Sequence, residues 1–135
     1  MSYKSILVPL DGTEADDRAL ACAYQVAKIS NSHLNILHVQ ADSKEAVPLL
    51  GEGMSGAMIE EMIDLAGRDA DERSNLAHQK FEKFVADNGL TVRERPAGSE
   101  DINSPSVHWV QKIGREDEIV SRGGCISDLT IMARP

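Results

Sequence analysis

The sequence predicts an α/β fold of three layers, in which helices cover both faces of a doubly wound parallel sheet. Two observations predict it. Apolar segments of strand length alternate with helical patterns along the 135 residues. In the first segment, residues 6–10, the apolar residues are continuous rather than alternating, which is typical of a strand buried on both faces of a parallel sheet. A chain of this length is expected to form one domain, over residues 1–135.

The first strand is predicted to end at Leu10, where Asp11 and Gly12 follow. Pro9 cannot donate a hydrogen bond to a sheet, so it is tolerated only where pairing is about to stop. Open α/β sheets bind their ligands at the carboxyl ends of the strands. Asp11 is therefore a candidate ligand-binding residue; the alternative is a turn acid that favours the adjacent helix N-terminus.

A helix and a second strand complete a βαβ unit after this turn. The residues Thr-Glu-Ala-Asp at 13–16 have the form of a capping box, and the helix that they open ends around residues 30–32. The second strand is predicted over residues 33–39. Such a unit joins parallel strands by a right-handed crossover. His38 lies in the second strand, and we interpret it as a buried, hydrogen-bonded histidine.

The rest of the chain alternates in the same way. In order, the predicted elements are a helix over residues 55–88, a strand over 107–113, a helix over 115–122 stopped by two glycines, and a strand over 127–135. The polar middle of the long helix, residues 67–75, is expected to overhang into solvent or to kink near Gly67. Residues 91–95 are a candidate short strand that the predicted strand order does not include.

Composition excludes several classes of function. The 14 basic and 22 acidic residues give a net charge of −8, which argues against duplex nucleic acid or an anionic membrane as a general partner. No run approaches the roughly 18 apolar residues of a membrane span. Two distant cysteines and the lack of a signal-peptide pattern predict a cytoplasmic protein. The four histidines lack metal-ligand spacing, and no nucleophile-and-base pattern predicts an enzyme.

Four segments resemble the universal stress protein family, in that family's order. Residues 6–14 resemble its opening strand and acidic turn, and residues 34–39 its second strand. Gly114 with residues 118–120 resembles its glycine and short third helix, and residues 128–133 (DLTIMA) its fourth strand, D-L-I-V-M-G. The resemblance implies a Rossmann-like fold of the adenine nucleotide alpha hydrolase-like type with strand order 3-2-1-4-5. We expect the order 3-2-1-4 here, the fifth strand being absent and the domain incomplete at its C-terminus, as in the front part of a tandem protein.

The resemblance also implies a ligand, since many members of the family bind ATP or AMP. In those, the acid after strand 1 contacts the nucleoside, the end of strand 2 contacts adenine, and a motif G-x2-G-x9-G-[ST] wraps the phosphates and ribose. By resemblance, the candidate nucleotide-binding residues are Asp11, Gly12, Val39 and Ala133. Ala133 replaces the first motif glycine, and the sequence ends at Pro135 before the second. We therefore expect weakened nucleotide binding, because close backbone approach to phosphate favours glycine.

Three functions stay open. The first is a stress-response or regulatory domain that binds an adenine nucleotide. The second is the same fold without nucleotide, acting as a homodimer or by pairing with a second stress-protein domain; another chain or a missing segment would then cover the edge beyond the fourth strand. The third and least favoured is a phosphoacceptor receiver domain. It needs a second acid beside Asp11 and an aspartate ending strand 3, where the sequence has Lys112, Ile113 and Gly114.

Overall fold

The structure is a computed structural model that describes residues 4–42, 55–92 and 105–132. Within these ranges the chain forms five strands and three helices. In chain order they are β1 (Ser5–Leu10), α1 (Ala15–Ser30), β2 (His33–Gln40), α2 (Gly56–Asn88), β3 (Thr91–Val92), β4 (Ser106–Ile113), α3 (Glu116–Ile126) and β5 (Leu129–Thr130). Every pair of neighbouring strands is parallel. The predicted α/β class with a parallel sheet is thus confirmed, as is the end of the first strand at Leu10.

The strand order is β3-β4-β2-β1-β5, so the predicted four-strand order, with a fifth strand absent, was wrong. It left out β3, which lies within the candidate short strand at residues 91–95. The two residues of β3 pair with Ser106 and Val107 of β4 at one edge of the sheet. Two exposed residues carry no hydrophobic period that a sequence could display, and only their pairing defines them as a strand. Because β3 is added at an edge, β1 still lies between β2 and β5.

The main core lies between one face of the sheet and the helices α1 and α2. Its strand residues are at alternate positions, which point to the same face of a sheet. The buried members are Ile6, Val8, Leu10, Leu34, Ile36 and Val107 from the strands, and Ala19, Leu20, Ala23, Ala27, Ala77, Phe81 and Phe84 from the helices. Three of the α1 members are alanines, whose small side chains let the helix backbone approach the sheet closely.

The third helix covers the opposite face of β1 and completes the three layers. It was predicted to stop at Gly123, but it continues to Ile126. A Cβ atom at Gly123 would lie 2.9 Å from the Leu7 Cδ2 atom. The glycine therefore lets α3 pack against β1 rather than ending the helix.

The second helix is continuous over 33 residues. The expectation that its polar middle overhangs into solvent was wrong, because Ala70 and Ser74 within that run are buried. In the described ranges no helix combines the length and the apolarity needed to cross a membrane.

The turn after β1 packs directly against the backbone of α2. Gly12 has a φ of +85°, and a Cβ atom there would lie 2.8 Å from the carbonyl oxygen of Arg73. Lys80, about two helical turns beyond Arg73 in α2, donates a hydrogen bond to the carbonyl oxygen of Thr13. These contacts fix the end of β1 against the middle of α2.

Substitution of Gly12 by alanine should therefore destabilise the protein for two reasons, the positive φ and the close contact with Arg73. We expect Gly12→Ala to lower the free energy of unfolding by about 2–4 kcal/mol, the sum of a left-handed backbone cost and an overpacking cost. Gly89→Ala is the matched control, since Gly89 has a φ of +60° but no atom within 4 Å of its added Cβ. Its loss should be about 1–2 kcal/mol. Urea unfolding followed by the fluorescence of Trp109 measures both, and equal losses would contradict a tight contact with Arg73.

Candidate functional site

A cavity of about 250 Å³ opens at the carboxyl edge of the sheet. It lies where β1 and β2 end, between the middle of α2 and the start of α3. Of the predicted nucleotide-binding residues, Asp11 and Val39 both line it. Gly12 is not among the lining residues and instead packs against Arg73. Ala133 lies outside the described residues.

Several lining residues come from elements that the sequence did not connect with Asp11. Ala66, Ala70 and Arg73 of α2 form one wall, and Glu116 at the start of α3 forms part of another. Tertiary packing brings them together, so no local motif marks them. The available signal was the spacing of small residues in α2, since Ala66 and Ala70 are four positions apart and therefore share one helix face.

Asp16 holds the turn that carries Asp11. Its Oδ1 atom accepts a hydrogen bond from the Asp11 amide at 3.0 Å, and its Oδ2 atom accepts one from the Gly12 amide at 2.8 Å. The predicted capping box was wrong in its pairing: the Thr13 hydroxyl donates to Asp11 Oδ1 at 2.6 Å instead of capping the helix. The Thr13 amide donates to the same oxygen at 3.0 Å.

Two carboxyl groups of different acidity result from this arrangement. Burial raises the pKa of Asp16 to about 6, although the Asp11 and Gly12 amides oppose the rise, and the neighbouring Asp11 carboxylate adds to it. Burial also tends to raise the pKa of Asp11, but the hydrogen bonds from Thr13 outweigh it, so that pKa is lowered. Asp11 thus holds its negative charge while Asp16 is the carboxyl that takes up a proton first.

Asp16 is also the second acid beside Asp11 that a receiver domain would need and that the sequence had not indicated. The acceptor position remains unfilled, because β4 ends at Ile113 and Gly114 follows it. Among the residues that the structure describes, no group of three or more His, Cys, Asp or Glu side chains could hold a metal ion. The arrangement therefore offers a charged turn without the phosphoacceptor.

His38 joins three elements beneath the cavity. Its Nδ1 atom lies 2.8 Å from the Leu10 carbonyl oxygen, which can only accept, so Nδ1 carries the proton. In the neutral ring the Nε2 atom then accepts from the Ser74 hydroxyl, 3.0 Å away. A hydroxyl beside an imidazole is also the arrangement of a nucleophile and its base. Here both side chains are buried and Ser74 does not line the cavity, so the pair ties α2 to the ends of β1 and β2, as predicted for a buried histidine.

The rim of the cavity is polar and connects the same elements. The Gln40 amide donates to Asp71 Oδ1 at 2.8 Å, and the Gln111 amide donates to Gln40 Oε1 at 3.3 Å. On the α2 side, Arg73 Nε lies 3.4 Å from Asp69 Oδ2, and both side chains are largely exposed. The walls are thus set by bonds that run from β4 through β2 to α2.

The raised pKa of Asp16 gives the stability of the protein a definite pH dependence. Between about pH 6 and the unfolded value near 4, the folded chain binds more protons than the unfolded one, so stability rises as the pH falls. From pH 7 to pH 5 we expect Asp16 to add about 1 kcal/mol to the free energy of unfolding. Denaturant titrations of the wild type and of Asp16→Asn, compared across this range, isolate the contribution. Parallel curves for the two proteins would contradict it.

Comparison with known proteins places this architecture in a family. A sequence model of the family described as "Universal stress protein family" matches residues 2–102. Among solved structures, the universal stress protein UspA from Lactobacillus plantarum is similar with a TM-score of 0.57 and 20% identity, over 98% of this chain and 77% of that one. A protein from the universal stress protein family of Burkholderia pseudomallei is similar with a TM-score of 0.52 and 16% identity, over 98% of this chain and 82% of that one.

The search of curated proteins found no match. At identities of 20% and 16%, the solved structures support the fold alone. Membership of the family rests on the match of the family's sequence model, which covers most of the chain. This match confirms the resemblance that the strand and turn segments predicted. The chain belongs to the universal stress protein family.

Proposed function

We propose that this protein is a stress-response or regulatory binding domain whose ligand is an adenine nucleotide, ATP or AMP, held in the cavity at the carboxyl edge of the sheet. The observation that carries the proposal is that Asp11 and Val39, the ends of two adjacent strands, line one cavity. This edge is where open α/β sheets bind ligands. The apolar side chains of Val39, Ala66 and Ala70 in its walls suit the flat face of a base.

The proposed role is binding rather than catalysis, and the proposed location is the cytoplasm. Among the residues that the structure describes, two hydroxyls contact an imidazole, those of Ser74 and Ser106. Both serines are buried and neither lines the cavity. Cys22 and Cys125 are both free and exposed, as expected in a reducing compartment.

The second candidate is a protein-interaction module of the same fold, and the edge of the sheet favours it. β5 is the last strand of the order, and its two residues pair with Ile6 and Leu7 of β1. Beside it, the side chains of Ile126 and Met132 are 86% and 56% exposed. Exposed strand edges and apolar side chains favour association.

Association through this edge predicts a dimer. We expect light scattering on the purified protein to give twice the mass of the chain at micromolar concentration, and Ile126→Lys to shift it to the monomer because a buried charge at an interface is costly. Ile29→Lys is the matched control, because Ile29 is equally exposed, at 84%, on α1 rather than near β5. A wild-type monomer, or equal effects of both substitutions, would contradict association through β5.

The nucleotide proposal predicts that filling the cavity abolishes binding. We expect AMP and ATP to raise the melting temperature of the wild type, since a ligand at 100 times its Kd adds about 2.7 kcal/mol of stability. Ala66→Phe places a ring in the cavity and should remove this shift. Ala57→Phe is the control, because Ala57 lies in the same helix, exposed and outside the cavity.

Two results would contradict this function. The first is the absence of any shift with millimolar AMP or ATP in the wild type, together with no adenine nucleotide in the mass spectrum of material released from the purified protein. The second is an equal shift in both variants, which would place the ligand elsewhere on the molecule.

A further inference from the structure

The charges on the part of the cavity lining that the structure describes are unfavourable for phosphate. Among the lining residues that the structure describes, four carry carboxyl groups and one carries a guanidinium. The acids are Asp11, Asp42, Asp69 and Glu116. The guanidinium is that of Arg73, and it already lies 3.4 Å from the Asp69 carboxylate. A polyphosphate would therefore enter a field of its own sign, and like charges brought together at a binding site are costly.

Three consecutive amides of the β1–α1 turn, those of residues 11–13, already donate to carboxylates of the chain. The N–H groups of Asp11 and Gly12 donate to the Asp16 carboxylate, and the N–H group of Thr13 donates to the Asp11 carboxylate. Within the first turn of the helix, the amides of Asp16 and Asp17 donate to the carbonyl oxygens of Thr13 and Glu14. Consecutive amides before a helix are what ordinarily binds a phosphate. In this turn the chain's own carboxylates take the place of that anion.

What the cavity can offer a ligand follows from the same groups. A carboxylate accepts hydrogen bonds and donates none, so the four acids of the lining favour a ligand with hydroxyl or amino donors. The volume of about 250 Å³ is slightly below the roughly 300–1,000 Å³ of common ligand pockets. A base with a sugar fits these conditions better than the same molecule extended by a chain of phosphates.

We infer that the cavity selects against phosphate charge, so that the unphosphorylated nucleoside adenosine binds more tightly than AMP, and AMP more tightly than ATP. This inference rests on the proposed adenine site and names the part of the ligand that supplies the affinity. The base and the sugar hydroxyls are held, and each added phosphate weakens the complex.

Calorimetric titration of the full chain with adenosine, AMP and ATP in the presence of EDTA tests this order. We expect adenosine to bind about tenfold more tightly than ATP. Added NaCl should strengthen ATP binding, because salt screens the repulsion, and should leave adenosine binding unchanged. A basic phosphate cradle would give the opposite salt dependence. ATP binding that equals or exceeds adenosine binding, or that weakens with salt, would overturn the inference.

A charge-removing variant tests the same point locally. Glu116→Gln should raise the affinity for ATP relative to that for adenosine by about two- to fivefold. Glu61→Gln is the control, since Glu61 is an exposed acid of α2 that does not line the cavity. Equal effects of the two substitutions would count against a local repulsion. If none of the three compounds binds, the proposed adenine site itself fails, a result distinct from binding in the wrong order.

Discussion

The carboxylate of Asp16 is the constraint on which the candidate site depends. Its two oxygens accept the Asp11 and Gly12 amides, so a single side chain fixes how the central strand turns into the first helix. An ionised group at 3% exposure is costly unless hydrogen bonds compensate it. The rise in its pKa shows that two amides compensate it only in part. The Asp16 carboxylate thus holds the turn although the neighbouring Asp11 carboxylate repels it.

That turn positions the second helix as well. Gly12 allows the Arg73 backbone to approach within a distance that any side chain would prevent, and the Lys80 amine binds the Thr13 carbonyl oxygen. From the other side, Ser74 bonds to His38, which bonds to the Leu10 carbonyl oxygen. The cavity therefore exists because α2 is attached to the ends of β1 and β2 by polar contacts, while Phe81 and Phe84 supply the apolar packing further along the helix.

The sequence predicted well what depends on one segment at a time. The continuous apolar run of β1, its end at Leu10 and the buried role of His38 follow from residue type and spacing alone. What it missed depends on contacts between segments. The polar run around Ala70 was expected to overhang into solvent because its exposed charges outnumber its two small buried residues, Ala70 and Ser74. The capping box did not form because the Asp16 carboxylate accepts from the amides of Asp11 and Gly12, which precede the start of α1 at Ala15. The turn between β1 and α1, and not the helix, sets the geometry there. The candidate short strand at residues 91–95 is a strand at Thr91–Val92, but two residues carry no pattern that would have placed it in the strand order.

The same interaction that makes the turn rigid also limits its chemistry. Amides preceding a helix can donate either to a ligand or within the chain. In this protein the amides of residues 11–13 donate within the chain, to the carboxylates of Asp16 and Asp11. An incoming phosphate would have to displace a buried carboxylate that is hydrogen-bonded through both oxygens, and it would leave that carboxylate without partners. The sugar and base face no such competition, because Asp11 and the apolar wall of Val39 and Ala66 border the open cavity. The stability of the turn and the affinity for phosphate are therefore alternatives, and the residue at position 16 decides between them.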